Sequence, residues 1–146
     1  MYFKHFIFFF IYDKMAYVRS DDMDVNTINI ITLAYLGDAI YEVYIREKLI
    51  RKGIAKVEEL QKFTTKYVSA KGQANILNNL IDNNHLTEEE LELVKRGRNY
   101  KRSSHPKHTD IITYKYSTGF EALIGYLYLS NNQNRLTEIL NKIEVN

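Results

Sequence analysis

Apolar positions along this chain recur at helical spacing, and the longest run, Leu33 to Arg51, carries two apolar stripes. At about 100° per residue, Leu33, Leu36, Ile40, Val43 and Ile50 fall on one side of a helix. Ala34, Tyr41, Ile45 and Leu49 fall on the other, and Asp38 lies among them. A helix apolar nearly all round is expected to be covered on both faces. A carboxylate there needs a partner, because an isolated buried one is strongly disfavoured. A hydroxyl or an arginine would be the ordinary choice. Gly37 costs about 1 kcal/mol in a helix interior relative to Ala, so it predicts close approach by another segment. The helix is expected to begin between Ile28 and Leu33 and to stop at Gly53. Lys48, Arg51 and Lys52 suit the negative end of its dipole.

Further helices follow. Val57, Leu60, Phe63 and Tyr67 are helically spaced, and Ala70, Ala74, Leu77 and Ile81 predict a helix from Ala70 through Leu80. Lys62, Lys66 and Lys71 read as the solvated face of this pair, and Asp82-Asn83-Asn84 breaks the pattern. Thr87 with Glu90 forms a capping box, with Leu86 and Leu91 as its hydrophobic staple, for a helix reaching about Asn99. In Ser117 to Leu129, Phe120, Leu123 and Leu127 make a core face. Glu121 projects away from it, among Tyr114, Ser117, Thr118, Gly125 and Tyr128. Gly125, one turn on, again predicts a close backbone. Leu136, Ile139, Leu140 and Ile143 make a short closing helix. The pattern is all-α.

Composition narrows the chemistry. The 146 residues suffice for one domain with a real core. With no cysteine, disulfides, thiolate catalysis and cysteine-based zinc sites are excluded, as suits a reducing cytoplasm. The net charge of +2 is too small to argue for nucleic acid by itself. Residues 1–22 read as an N-terminal extension from an over-extended start, with residues 23–146 as the folded domain. The apolar stretch Phe6 to Tyr12 is far short of the roughly 20 residues that span a bilayer.

Charge distribution says more. Arg96 to Asp110 carries Arg96, Arg98, Lys101, Arg102 and Lys107, and its only acid is Asp110. Guanidinium groups and hydroxyls suit phosphate oxygens, although a solvated basic loop would look the same. His105 and His108 could be half a metal site, but no further ligand stands at suitable spacing. No phosphate-binding glycine loop and no Ser-His-Asp motif is present.

Leu36-Gly37-Asp38-Ala39, within LAYLGDAIYE, resembles the signature helix of the ribonuclease III fold, and FEALIGYLYL resembles that family's second acidic helix. More narrowly, SAKGQANIL, KRGRN and YKYSTGFEALIGYLYL resemble the Mini-III ribonucleases, which lack a separate double-stranded-RNA-binding domain. The similarity runs from about Ile28 to Ile143.

The resemblance implies a ribonuclease III-like helical endonuclease domain that is homodimeric and cuts double-stranded RNA with Mg²⁺. One stripe of the central helix would then pack in the core and the other partly against the second subunit. Larger relatives carry further acids where this chain has Ala34 and Thr118, so the implied catalytic and metal-binding set is Asp38 and Glu121. Glu42 could assist through an outer water, or pair with Arg46. Arg96, Arg98, Lys101, Lys107 and Lys115 are expected to touch phosphates. Asn99, Ser104, His105, Thr109 and Ser117 are expected at phosphate or 2′-hydroxyl. The implied role is maturation of the 23S ribosomal RNA precursor in the cytoplasm, with a ribosomal protein as helper and no membrane. Products would be a 5′-phosphate and a 3′-hydroxyl. The alternative is a non-cleaving scaffold of the same fold that binds RNA in ribosome assembly.

Overall fold

The computed structural model describes residues 23–101, 104 and 106–146. The expected extension over residues 1–22, together with Arg102, Ser103 and His105, lies outside them. A single 3₁₀ turn, Val25–Thr27, leads into six α-helices, and there is no strand among the described residues. The helices are α1 (Ile30–Arg51), α2 (Val57–Val68), α3 (Ala70–Asp82), α4 (Glu88–Arg98), α5 (Ile111–Leu129) and α6 (Gln133–Asn141).

Local chemistry sets these ends. Asn29 caps α1 by accepting from the Ile31 amide at 2.9 Å. After α1, Gly53 takes φ 92°, a left-handed conformation costly for other residues. Thr87 and Glu90 form the expected capping box at α4. The second acidic helix starts six residues earlier than its apolar pattern indicates, because Asp110 caps it by accepting from the Thr113 amide at 2.9 Å. The Thr113 hydroxyl, with that amide, holds the Asp110 carboxyl below its ordinary value.

Helix α5 is the hub, packed against α1, α3, α4 and α6. From Ser117 to Tyr128 it is buried on every side except at Glu121 and Tyr126, which are half-buried. Tyr41 of α1 meets Phe120 of α5 edge-on, with ring centroids 4.9 Å apart, and donates its hydroxyl to the Tyr67 carbonyl. Tyr44 donates to the Leu140 carbonyl at 2.6 Å, tying α1 to α6. Burial holds both phenols well above their ordinary range, so they stay neutral donors.

The two stripes of α1 part company. Ala34, Tyr41, Ile45 and Leu49 are buried with Leu33, whereas Leu36 and Ile40 are half-buried. Val43 is 53 % exposed and Ile50 58 %, with Tyr35 on the same arc at 84 %. Within the chain the helix is therefore covered on one face.

Candidate active site

The two helices bearing Asp38 and Glu121 touch backbone to backbone. A Cβ added at Gly37 would lie 1.8 Å from the Glu121 carbonyl oxygen, and one added at Gly125 would lie 2.0 Å from the Leu33 carbonyl oxygen. Only glycine permits this approach. The residue before Asp38 thus rests on the main chain of Glu121. Both acids are half-buried.

On the other side of the same stretch, α4 approaches α5 through a second glycine pair. A Cβ at Gly97 would lie 3.0 Å from Gly119 Cα and 3.2 Å from the Thr118 carbonyl oxygen. The basic last turn of α4 is thereby held against α5 two residues before Glu121.

Asp38 has a partner of a kind that its surroundings in sequence do not suggest. Its Oδ1 accepts from Gln73 Nε2 at 3.1 Å, so the partner is neither hydroxyl nor arginine. The same Nε2 donates to the Val68 carbonyl at 3.1 Å. Gln73 is 1 % exposed, and its Oε1 finds no hydrogen-bond partner among the described residues. The amide is oriented by its two acceptors, which leaves the oxygen as the unpaired end. Sequence reasoning missed Gln73; its spacing from Leu77 and Leu80 puts a polar side chain on the core stripe of α3, a signal that was available.

Other acids are used differently. Glu42 accepts from Arg46 Nε at 3.0 Å, in the expected pairing. Ala34 and Thr118 are buried, with the Thr118 hydroxyl donating to the Tyr114 carbonyl at 3.0 Å. No group of three or more potential metal-ligating His, Cys, Asp or Glu residues stands together among the described residues.

Of the residues expected at RNA, Arg96, Asn99, Lys101, Ser104 and Lys107 are exposed, while Thr109 and Lys115 are half-buried. Arg98 is half-buried too, with its guanidinium 5.5 Å from the Tyr116 ring centre. Ser117 is a correction. It is 3 % exposed and its hydroxyl donates to the Tyr114 carbonyl at 2.8 Å, as happens when a small hydroxyl residue faces its own helix inside a core. It does not belong to the contact surface. His105 lies outside the described residues.

Comparison with known proteins agrees with this architecture. The ribonuclease III domain family matches residues 31–132. Mini-ribonuclease 3 of Streptococcus pneumoniae is 48 % identical over 118 residues, covering 81 % of this chain and 92 % of its own. That of Brevibacillus brevis is 52 % identical over 117 residues, covering 80 % and 86 %. A crystal structure of a Fusobacterium nucleatum protein superposes with a TM-score of 0.72 at 33 % identity, covering 83 % of this chain and 95 % of that one. The chain belongs to the ribonuclease III family, in its Mini-ribonuclease 3 branch, and is an endoribonuclease of that type.

Proposed function

We propose that this endoribonuclease cuts double-stranded RNA at a Mg²⁺ site held by Asp38 and Glu121. The observation that carries the reading is the contact of Gly37 with the Glu121 main chain, which brings one acid from α1 and one from α5 to a single helix crossing. The donor chemistry fits the ion. Two carboxylates offer hard oxygens, and Mg²⁺ needs only one or two of them because it keeps several waters. The orphaned Gln73 Oε1 beside Asp38 is a further acceptor suited to a hydrated cation. When bound there, Mg²⁺ would neutralise charge on the scissile phosphate and lower the pKa of a water.

The chain's own residues do the rest. Asp38 and Glu121 would hold the ion, with Asp38 steadied at Oδ1 by a neutral donor. Arg96, Arg98, Lys101, Lys107 and Lys115 contact phosphates, and Asn99, Ser104 and Thr109 reach phosphate or 2′-hydroxyl. A-form RNA offers sugars and backbone in a shallow groove, so recognition is mainly of shape. Water attacks phosphorus in line with the 3′ oxygen, the bond to that oxygen breaks, and a 5′-phosphate and a 3′-hydroxyl result.

A second copy of the chain covers the open stripe of α1, a reading supported by the exposure of Tyr35, Val43 and Ile50 along one arc. The family resemblance extends the proposal to the 23S ribosomal RNA precursor as substrate, a ribosomal protein as helper and the bacterial cytoplasm as the site of action. No helix among the described residues is long and apolar enough to cross a membrane.

One gel tests the reading. End-labelled duplex RNA should be cut by the wild type only with Mg²⁺, and Asp38→Asn should bind the duplex without cutting it. Mg²⁺-dependent cutting by Asp38→Asn would remove the site assignment. Binding without cutting by the wild type would favour the scaffold alternative.

A further inference from the structure

We propose that Gln73 is a positioning residue for Asp38 and an outer acceptor for the hydrated cation; this rests on the Mg²⁺ site proposed above. Helix α3 is built to deliver this side chain. A single extended residue, Ser69, separates α2 from α3, and its hydroxyl caps α3 by accepting from the Gly72 amide at 3.1 Å. Gly72 lets the first turn of α3 tuck beneath the end of α2, since a Cβ there would lie 2.4 Å from the Lys66 carbonyl oxygen. Gln73 follows immediately, in the interior, and spans from the Val68 carbonyl to Asp38.

A buried amide with one end doubly bonded and the other unpaired is unusual. An unsatisfied buried acceptor loses its hydrogen bonds to water and gains none in return, so a purely structural role would favour an apolar side chain of similar volume. The two ends of this amide divide the work. Nε2 fixes the rotation of the Asp38 carboxylate through Oδ1, leaving the other oxygen to face the ion. Oε1 accepts from a water that arrives in the ion's hydration shell. A neutral amide suits both tasks: a cationic donor would cancel the charge of Asp38, and a hydroxyl could not reach both acceptors while keeping a carbonyl oxygen.

The test uses the full chain without RNA and with Mg²⁺ alone. In ¹⁵N-labelled wild type, the Gln73 side-chain amide signals should shift during Mg²⁺ titration with the same midpoint as the backbone amides of Asp38 and Glu121. In Gln73→Met, which keeps volume and removes donor and acceptor, the Mg²⁺ midpoint should rise about tenfold, the scale of losses when an outer partner of a metal ligand is removed. In the cleavage assay at limiting Mg²⁺, kcat should fall while KM for the duplex is unchanged.

Two results overturn the proposal. One is a Gln73 amide that stays still while Asp38 and Glu121 shift. The other is a Gln73→Met protein with a lower Tm but an unaltered Mg²⁺ midpoint, the signature of a merely structural glutamine. Should the substitution prevent folding, the wild-type titration decides alone. If none of the three residues responds to Mg²⁺, the metal site itself fails and this proposal falls with it, a pattern distinct from the still amide.

Discussion

Two shielded carboxylates in this molecule are treated in opposite ways. Glu90, at the start of α4, is saturated. Arg135 Nε and Nη2 donate to its two oxygens at 2.7 and 2.9 Å, and the Thr87 amide donates at 2.9 Å. Arg135 also reaches the His85 carbonyl and Glu138, so the group ties α4 to α6. Burial pushes the Glu90 carboxyl upward, but Arg135 and the capping amide outweigh it and hold the carboxyl below its ordinary value. Asp38 accepts from one neutral donor and forms no ion pair among the described residues. The lesson is that burial alone does not mark a reactive acid. A carboxylate whose charge is cancelled inside the protein is a structural tie, and one that keeps its charge is available to a cation.

That contrast predicts a clean exchange of phenotypes. Asp38→Asn should lower duplex cleavage at least about a thousandfold, equivalent to roughly 4 kcal/mol of transition-state stabilisation, with Tm nearly unchanged. Glu90→Gln should leave cleavage per folded molecule intact and cost stability instead. Matched cleavage assays and thermal melts read both, and equal losses of activity in the two variants would erase the distinction.

Gly37→Ala attacks the geometry beneath one acid only. The new methyl would collide with the Glu121 carbonyl, a backbone atom with no rotamer to yield, so α1 must move away from α5. The expected cost is about 3 kcal/mol, and the fall in Tm about 10 °C. Any protein that remains folded should lose cleavage, because Asp38 has been shifted relative to Glu121, while the Glu90–Arg135 tie is untouched. A fully active, fully stable variant would mean that the helix crossing does not set the site.

The Glu90 prediction has a defined pH window. Its folded value lies below the ordinary one, so its contribution is complete above about pH 4.3 and is lost as pH falls through the folded value. Removing the charge in Glu90→Gln should cost about 2 kcal/mol near neutral pH, discounted because Arg135 keeps some solvent contact. The stability gap to wild type should close in acid. A gap that stays constant from pH 7 to pH 3 would show that the ion pair is not its source.

How much of this could be read beforehand follows from which forces are local. Caps and glycines are local chemistry, so the ends of α1, the capping box at Thr87 and the close approaches at Gly37 and Gly125 were readable from residue types alone. The apolar period of α5 was readable too, but not its start. Asp110 and Thr113 form a cap whose strength lies in geometry, and a polar stretch containing Pro106 hid it. The partner of Asp38 is 35 positions away along the chain. No periodicity in α1 could point to Gln73; only the polar side chain on the core stripe of α3 could. Equal apolarity on the two stripes of α1 likewise concealed which would face inward, since that choice is made by the helices packed against it, α5 and α2 above all.

The smallest expected effect concerns charge left for a partner outside the protein. Lys101 and Lys107 are exposed, and neither has a carboxylate within ion-pair reach among the described residues. Each lysine that neutralises a phosphate displaces about one counterion, so replacing both with Ala should reduce the slope of log affinity against log salt by about 2. Because A-form RNA is recognised by shape, the loss should be uniform across duplexes of different sequence. Measuring duplex affinity from 50 to 200 mM salt, without Mg²⁺ to prevent cutting, isolates this term from the acids. An unchanged slope would move the RNA off the α4–α5 connection, and Arg96 and Lys115 would then have no reason to be in the contact set.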